Sequence, residues 1–235
     1  MSFFGGIKMN FSFRLSPLLL LTLVSCGQEK KSLKGSQNSL LVSEGHYRAR
    51  VIPLNRQLQK TSITGEVLSK LDPLKMNVQV DIKDLSASMI HPQYIHQGTN
   101  CPSEIDDLNS DGIIDFSEAQ KAMGAEVMSL VDEEKNSLQF PKSNEQGELF
   151  YLKSFTNEQI KRNLIKSDLK SWAVQPFNLS KMSYLILGVS EDVDLPDSIK
   201  GIAGIKTQSS IPIGCGTFEK VIIEGTSVTA SGDKN

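Results

Sequence analysis

The sequence predicts a mainly β protein, an antiparallel β-sandwich with long loops and one or two short helices. Residues 76–82 alternate strictly between apolar and polar side chains, and shorter alternating runs cover residues 47–52 and 63–67. Alternation with period two is typical of half-buried strands, and the spacing of these runs suits an antiparallel meander. The chain has 235 residues, of which 39% are hydrophobic. That is enough for one domain with its own core.

The second half of the chain adds further strands and one clear helix. Residues 89–90 and 94–95 suggest a strand, as do residues 127–130, 148–154, 182–189 and 218–223. Thr156 and Gln159 have the spacing of a capping box, which predicts a helix starting there. Its apolar face consists of Ile160, Leu164 and Ile165. Trp172 is interpreted as a core residue.

Residues 1–25 predict a cleaved signal peptide. Lys8 and Arg14 form a basic region, and residues 15–24 form an apolar core that is too short for a comfortable membrane span. Residues 26–45 are polar and predict a flexible tether. The sandwich domain is therefore expected over residues 46–225, followed by a polar, disordered tail at residues 226–235.

The end of the signal peptide resembles the lipobox of bacterial lipoproteins. Its sequence is Leu23-Val24-Ser25-Cys26-Gly27. In such proteins the cysteine is lipidated and becomes the first residue of the mature chain. This resemblance implies a cell-envelope protein held to the membrane by lipid on Cys26, and Gly27 in place of Asp favours the outer membrane. The alternative is an ordinary secretory signal with a chance cysteine.

The charge balance argues against nucleic acid as a partner. The net charge is −2, and it becomes −4 when Lys8 and Arg14 leave with the signal peptide. No basic footprint remains in the mature chain.

The segment 107–118 has the pattern of a twelve-residue EF-hand calcium loop. Side-chain oxygens stand at loop positions one, three, five, nine and twelve, a glycine stands at six, and a backbone carbonyl is offered at seven. The predicted ligands are Asp107, Asn109, Asp111, the carbonyl of Ile113, Asp115 and Glu118. Hard Ca²⁺ requires six to eight converging oxygens, which this pattern can supply. The alternative is a solvated acidic turn.

The flanks of this loop differ from an ordinary EF-hand. Residues 117–123 predict a short helix that ends at Gly124. On the other side, Cys101-Pro102 leaves room for about one helical turn before Asp107. No second loop of this kind occurs in the sequence. The segment therefore suggests a structural calcium site inserted between strands rather than a paired sensor.

Cysteine counting predicts one disulfide bond. The chain has three cysteines, Cys26, Cys101 and Cys215. If Cys26 carries lipid, two remain in an exported protein, where disulfides persist. We expect a bond between Cys101 and Cys215; the alternative is two free buried thiols.

Two separated motifs resemble the superoxide-dismutase-like, chordin-type (CHRD) β-sandwich proteins. They are the run from His91 to His96 (HPQYIH), with Cys101 five residues on, and the late run from Ile211 to Gly216 (IPIGCG). The resemblance spans roughly residues 47–225. It implies an eight-stranded Greek-key sandwich in which a loop cysteine pairs with a Cys-Gly near the C-terminus.

The resemblance also implies a copper site, and this chain departs from that site. Tyr94 stands where the first histidine of His-x-His is expected, and Leu187-Gly188 stands where a later copper ligand is expected. The chain has three histidines, whereas a dismutase copper site uses four. A weaker second metal site using His91 and His96 stays open, since imidazole suits copper and zinc. The alternative is two histidines hydrogen-bonded at a strand end.

These observations favour a calcium-binding, lipid-anchored envelope protein with a non-catalytic β-sandwich, in a structural or binding role. The alternative is a divergent superoxide-dismutase-like copper/zinc metalloprotein. No nucleophile-elbow motif, phosphate-binding glycine loop or Cys-x-x-Cys motif supports another enzyme class. The partner in the envelope is not identified by the sequence.

Overall fold

The computed structural model describes residues 40–131, 139–166 and 176–222, all within a compact unit spanning Asn38–Asn235. The strands are β1 (Gly45–Arg50), β2 (Ile52–Pro53), β3 (Thr64–Leu71), β4 (Lys75–Lys83), β5 (Gln93–His96), β6 (Glu126–Ser129), β7 (Leu149–Thr156), β8 (Ser183–Leu187) and β9 (Pro212–Val221). The helices are α1 (Phe116–Met123) and α2 (Asn157–Lys166). No helix among these described residues is long and apolar enough to cross a membrane. The signal peptide, Cys26, most of the tether, Trp172 and the tail at 226–235 lie outside the described residues.

All the strand pairs are antiparallel and form one curled sheet. The order is β6-β5-β8-β9-β1-β3-β4-β7, with β2 paired to β9. The ten-residue strand β9 belongs to both halves of this sheet, because its first half pairs with β8 and its second half pairs with β1. The sheet thus folds over itself into a sandwich with a β1/β3/β4/β7 layer and a β5/β6/β8 layer.

The connections around β5 and β6 give the Greek-key character that the resemblance implied. The chain leaves β4, forms the β5/β6 pair in the other layer, and returns as β7 to the free side of β4. The predicted fold class, a mainly β Greek-key antiparallel sandwich with two short helices, is therefore confirmed.

Strand β4 shows why the alternation predicted this layer correctly. Met76, Val78, Val80 and Ile82 face the core and are at most 1% exposed, and the residues between them face solvent. Strand β7 pairs with β4 along its whole length, and α2 follows β7 directly. The predicted capping box starts α2, since Gln159 Oε1 accepts the Thr156 backbone N–H at 2.8 Å.

The other layer is buried on both faces. Every residue of β5 and β8 is buried, although only the inner side chains, such as Ile95 and Ile186, join the main core. On the outer face, Leu185 and Leu187 pack with Ile114, Ala119 and Met123 in a second cluster. The segment containing the predicted calcium loop and α1 therefore covers this layer.

The last strand is longer than the sequence predicted. It begins at Pro212 rather than near residue 218, so the Gly-rich run around Cys215 is strand and not a lead-in. A Cβ at Gly216 would lie 2.5 Å from the Arg50 carbonyl oxygen, and one at Gly214 would strike Ile63 and Val51. Glycine is needed at both positions because other segments of the same chain pass very close to them. Such long-range contacts cannot be seen in the local sequence.

Candidate functional site

The loop 107–118 folds as one tight turn followed by a helix. Gly112 has φ 85, in the left-handed region where glycine is favoured, and the preceding Ser110 has φ 58. A Cβ at Gly112 would meet no atom within 4 Å, so the backbone conformation alone calls for glycine there. The loop thus makes the sharp turn expected at position six.

The first three predicted ligands turn their oxygens toward the inside of the loop. Asp107 accepts the N–H groups of Asp111 at 3.2 Å and Gly112 at 2.8 Å. Asn109 Oδ1 accepts from the Asp111 N–H at 3.0 Å, and Asp111 Oδ1 accepts from the Ile113 N–H at 2.9 Å. These backbone donors offset the negative charge gathered by the turn.

Asp115 and Glu118 close the loop from the start of α1. Asp115 is the N-cap and accepts the Glu118 N–H at 2.9 Å, and Glu118 Oε2 accepts the Asp115 N–H at 2.9 Å. Glu118 Oε1 reaches across the loop to the N–H groups of Leu108 and Asn109 at 2.9 and 3.3 Å. Asp115 is 2% and Glu118 5% exposed. Position twelve therefore lies against the first half of the loop.

This donor set is chemically suited to a hard dication, because all of its side-chain ligands are oxygens. The oxygens are engaged by backbone N–H groups of the loop. Within the described part of the chain, no group of three or more His, Cys, Asp or Glu side chains converges as a metal cluster. Cation binding would therefore require the carboxylates to exchange N–H donors for the ion.

The Asp111 carboxylate also contacts the long β8–β9 connection. Ser198 Oγ donates to Asp111 Oδ2 at 2.5 Å, and the Lys200 N–H donates to Asp115 Oδ2 at 3.1 Å. Slight burial raises the pKa of Asp111, but the hydrogen bonds from Ser198, Ile113 and Asn109 outweigh it and the pKa is lowered. The carboxylate therefore stays charged to a lower pH than an ordinary aspartate does.

Asn55 fastens the loop to the sandwich. Its Nδ2 donates to the carbonyls of Ile114 at 2.8 Å and Pro212 at 2.9 Å, and its Oδ1 accepts the Ile114 N–H at 2.9 Å. Asn55 is 8% exposed and has φ 46, a left-handed conformation that asparagine tolerates. One side chain thus binds both backbone groups of Ile114 as a neighbouring strand would.

Covalent and close backbone contacts hold the rest of the segment. Cys101 and Cys215 form a disulfide bond, which confirms the predicted pairing and fixes the segment to β9. The Gly98 N–H donates to the Met123 carbonyl at 2.6 Å, and a Cβ at Gly98 would lie 2.5 Å from that oxygen. The two ends of the segment 98–123 are therefore bonded to each other, and the disulfide bond holds the segment to β9.

The ring of His91 lies between two backbone carbonyls. Nδ1 is 2.9 Å from the Leu187 oxygen and Nε2 is 3.2 Å from the Ser86 oxygen. A neutral imidazole carries one N–H and donates to one of them. Burial lowers the pKa of His91, while these two carbonyls act to raise it. The ring also fits against Gly188, where a Cβ would lie 2.9 Å from Nδ1.

His96 is buried at the other end of the β5/β8 strand pair. Its Nδ1 donates to the Gly124 carbonyl at 2.9 Å. Burial lowers the pKa of His96, and this effect outweighs the hydrogen bond to Gly124, which acts to raise it. Its Nε2 is buried and has no hydrogen-bond partner among the described residues. Its ring makes edge contacts with Tyr94 and Phe116.

The structure does not bring the two histidines together. His96 stands opposite Ser183 at the start of β8, whereas His91 contacts Leu187 at its end, so about 13 Å of strand separates these points. His46 lies on β1 in the other layer. The alternative reading, in which His91 and His96 are hydrogen-bonded structural residues, agrees with these contacts.

Several residues at the site were not anticipated from the sequence. Asn55, Ser198 and Lys200 contact the loop from 59 to 87 positions away along the chain. Gln57 also donates to the Gly112 carbonyl at 2.5 Å. None belongs to a recognisable motif, because their roles depend on which segments the fold places together. The Pro and Gly residues around Cys215 were the one available signal that another segment packs closely there.

No protein-family model matches the chain, and no curated protein matches it. The solved structures to which the chain is similar include a double mutant and a single mutant of a SOD-like protein from Bacillus subtilis. They share 12% and 13% identity, cover 72% of this chain and 94% and 95% of their own, and have TM-scores of 0.39 and 0.38. Similarity at this level does not establish a function, and the fold assignment rests on the strand pairing itself.

Proposed function

We propose that this chain is a calcium-binding protein of the bacterial cell envelope, anchored by lipid on Cys26, whose β-sandwich is non-catalytic. The observation that carries the proposal is the loop 107–118. It combines the complete oxygen ligand pattern with the left-handed Gly112 and with Glu118 already folded against the first half of the loop. Calcium would bind between Asp107, Asn109, Asp111, the Ile113 carbonyl, Asp115 and Glu118.

Calcium would serve to stiffen the covering segment of the β5/β8 layer. The loop lies between the disulfide at Cys101 and helix α1, and α1 packs Ala119 and Met123 onto that layer. An ion that binds only the folded chain stabilises it, by about 2.7 kcal/mol at a hundred times the dissociation constant. Extracellular calcium modules work with affinities of about 10⁻⁴–10⁻³ M, so a modest affinity suffices.

Thermal melting of the mature chain with Ca²⁺ and with chelator tests this proposal. Wild type should melt at a higher temperature with calcium, and Glu118→Gln should lose most of that gain because position twelve supplies the bidentate ligand. Glu104→Gln is the matched control, since Glu104 is exposed and lies just before the loop. An unchanged wild-type midpoint, with no calcium detected by calorimetry at millimolar levels, would refute it.

Metal analysis of the purified chain separates this proposal from the copper/zinc alternative. About one equivalent of calcium with no copper supports the calcium function. Stoichiometric copper or zinc together with dismutase activity would support the alternative instead.

The anchor is tested separately. Cys26→Ser should abolish lipidation and shift the protein out of the membrane fraction. Mass spectrometry that finds an unmodified Cys26 in the mature wild type would contradict the anchor while leaving the calcium result intact.

A further inference from the structure

The described chain enters the sandwich at one of its two ends, which we call the tether end. Residues 40–44 lead into β1 there, β3, β7 and β9 end there, and β4 begins there. Three apolar side chains project from this end, each between 62% and 86% exposed: Leu41, Leu74 and Ile222. Only β1 lies between β9 and β3, so the ends of these two strands are about 10 Å apart. Leu74 and Ile222 are therefore neighbours on the surface.

Lysines stand beside these apolar side chains. Lys70 and Lys75 border the turn that presents Leu74, and both are exposed. The Lys220 side chain extends over the start of β1, since a Cβ at Gly45 would lie 3.2 Å from its Nζ. None of these three lysines forms a salt bridge within the described part of the chain. Their ammonium groups can therefore bind anionic groups outside the protein.

The turn that carries Leu74 is held by hydrogen bonds on both sides. Asp72 Oδ1 accepts the N–H groups of Leu74 and Lys75, each at 2.9 Å. The Leu74 carbonyl accepts the Asn157 N–H at the start of α2 at 3.0 Å. The backbone of the turn is thus satisfied by the protein, while the leucine side chain is left in solvent.

The opposite end, which we call the loop end, also has exposed apolar side chains, but its surroundings are acidic. Asn55 bonds the loop 107–118 to Pro212, the first residue of β9, and about 30 Å of strand separates that residue from the last one. Leu108 on this loop is 60% exposed. The segment 101–118 has six acidic residues and no lysine or arginine. The tether end has the lysines Lys70, Lys75, Lys181 and Lys220 and the acids Glu44, Asp72 and Glu158. The tether end therefore suits a surface with anionic headgroups and an apolar interior, and the loop end does not.

We propose that the tether end lies against a phospholipid bilayer, with Leu41, Leu74 and Ile222 among the headgroups and the lysines on lipid phosphates. This inference rests on the proposed lipid anchor at Cys26. Fourteen positions separate Cys26 from Leu40 and can span at most about 50 Å, so the anchor keeps this end near the membrane. A few apolar side chains bind a bilayer weakly, but the tether makes the contact intramolecular, so a weak contact suffices. The calcium loop would then face away from the membrane.

The test fixes the anchor chemically, so that it does not depend on natural lipidation. The mature chain, produced without its signal peptide, is coupled through the Cys26 thiol to a maleimide lipid in vesicles of phosphatidylcholine and phosphatidylglycerol. The other two cysteines are bonded to each other and do not compete. Leu74→Trp should lose fluorescence when the acyl chains are brominated, beyond any loss in the wild type, which has one tryptophan. Ile222→Trp should behave in the same way.

Leu108→Trp is the matched control, since Leu108 is similarly exposed but lies on the acidic loop. Its fluorescence should fall no more than that of the wild type. The proposal would be overturned if neither Leu74→Trp nor Ile222→Trp is quenched in the coupled protein, or if Leu108→Trp is quenched as strongly. An unmodified Cys26 in the natural protein would instead contradict the anchor and leave this measurement unaffected.

A charge variant tests the lysines. Replacing Lys70, Lys75 and Lys220 together by Gln in the Leu74→Trp protein should reduce the quenching. Replacing Lys60, Lys83 and Lys206 by Gln changes the net charge equally but alters exposed lysines toward the loop end, and should leave the quenching intact. Equal quenching in the two triple variants would overturn the binding of lipid phosphates by the tether-end lysines.

Discussion

The two layers of the sandwich differ in what lies against their outer faces. The β1/β3/β4/β7 layer leaves its outer face to solvent, and Phe150 and Leu152 on β7 are 63% and 61% exposed. The β5/β8 layer is buried on both faces, because helix α1 and the loop 107–118 cover it. The outer face of the open layer therefore follows from local alternation along each strand, whereas the outer face of the covered layer depends on a segment that the fold packs onto it.

Removing the disulfide bond should cause the largest loss of stability, and it should affect the covered layer more than the open layer. Replacing both Cys101 and Cys215 with Ala should lower the free energy of unfolding by about 4 kcal/mol, because the bond spans 114 positions. Urea denaturation measures the loss, and reduced wild type should show a similar one. Hydrogen exchange should accelerate more in β5, β8 and α1 than in β4 and β7. Equal acceleration in both layers would contradict the comparison.

Truncating a buried side chain of α1 should lower the free energy of unfolding far more than truncating an exposed side chain of the open layer. Met123 on α1 is fully buried, so Met123→Ala should cost about 3 kcal/mol through lost burial and a cavity. Leu152→Ala on the open face should cost less than about 0.5 kcal/mol. The two variants, measured by the same denaturation, form a matched pair, and similar losses would show that the outer faces do not differ as described.

Substitution of Asn55 should show how much its hydrogen bonds stabilise the attachment of the loop 107–118 to the sandwich. Asn55→Gly keeps the left-handed backbone but removes the bonds to Ile114 and Pro212, and should cost about 2 kcal/mol from buried groups left without partners. It should also weaken calcium binding measured by calorimetry. Gln57→Ala, which removes one exposed bond to Gly112, should have a much smaller effect. If both variants behave alike, Asn55 has no special role.

Acid should destabilise the covered layer through its two histidines. Burial lowers the folded-state pKa of both His91 and His96 below the ordinary 6.5. The unfolded chain then binds more protons, so this stability is fully present above pH 6.5 and is lost as pH falls toward the folded-state values. The slope should be up to about 1.4 kcal/mol per pH unit for each histidine. A double His91→Gln, His96→Gln variant should flatten the decline between pH 6.5 and 5; an unchanged slope would exclude these residues as its source.

The same contrast explains how far the sequence could predict this structure. The alternation of Met76 to Ile82 and the capping box at Thr156 predicted elements of the open layer, because their causes lie within a few residues. The sharp turn at Gly112 could be predicted from the spacing of the loop, and the disulfide from cysteine counting. Asn55 and Ser198 could not, because their contacts arise only when the fold brings distant segments together. The start of β9 was missed for the same reason, since Gly214 and Gly216 serve close packing there.

Strand β9 also sets the order in which the molecule can be completed. It pairs with β8 in one layer and with β1 in the other, yet it is the last strand in the described chain. As the polypeptide emerges from N- to C-terminus, the facing edges of β1 and β8 stay unpaired until residues 212–221 arrive. The two layers cannot be joined through β9 beforehand, and the Cys101–Cys215 bond cannot form until Cys215 has emerged. The joining of the two layers and the formation of the disulfide bond therefore both depend on the last described strand.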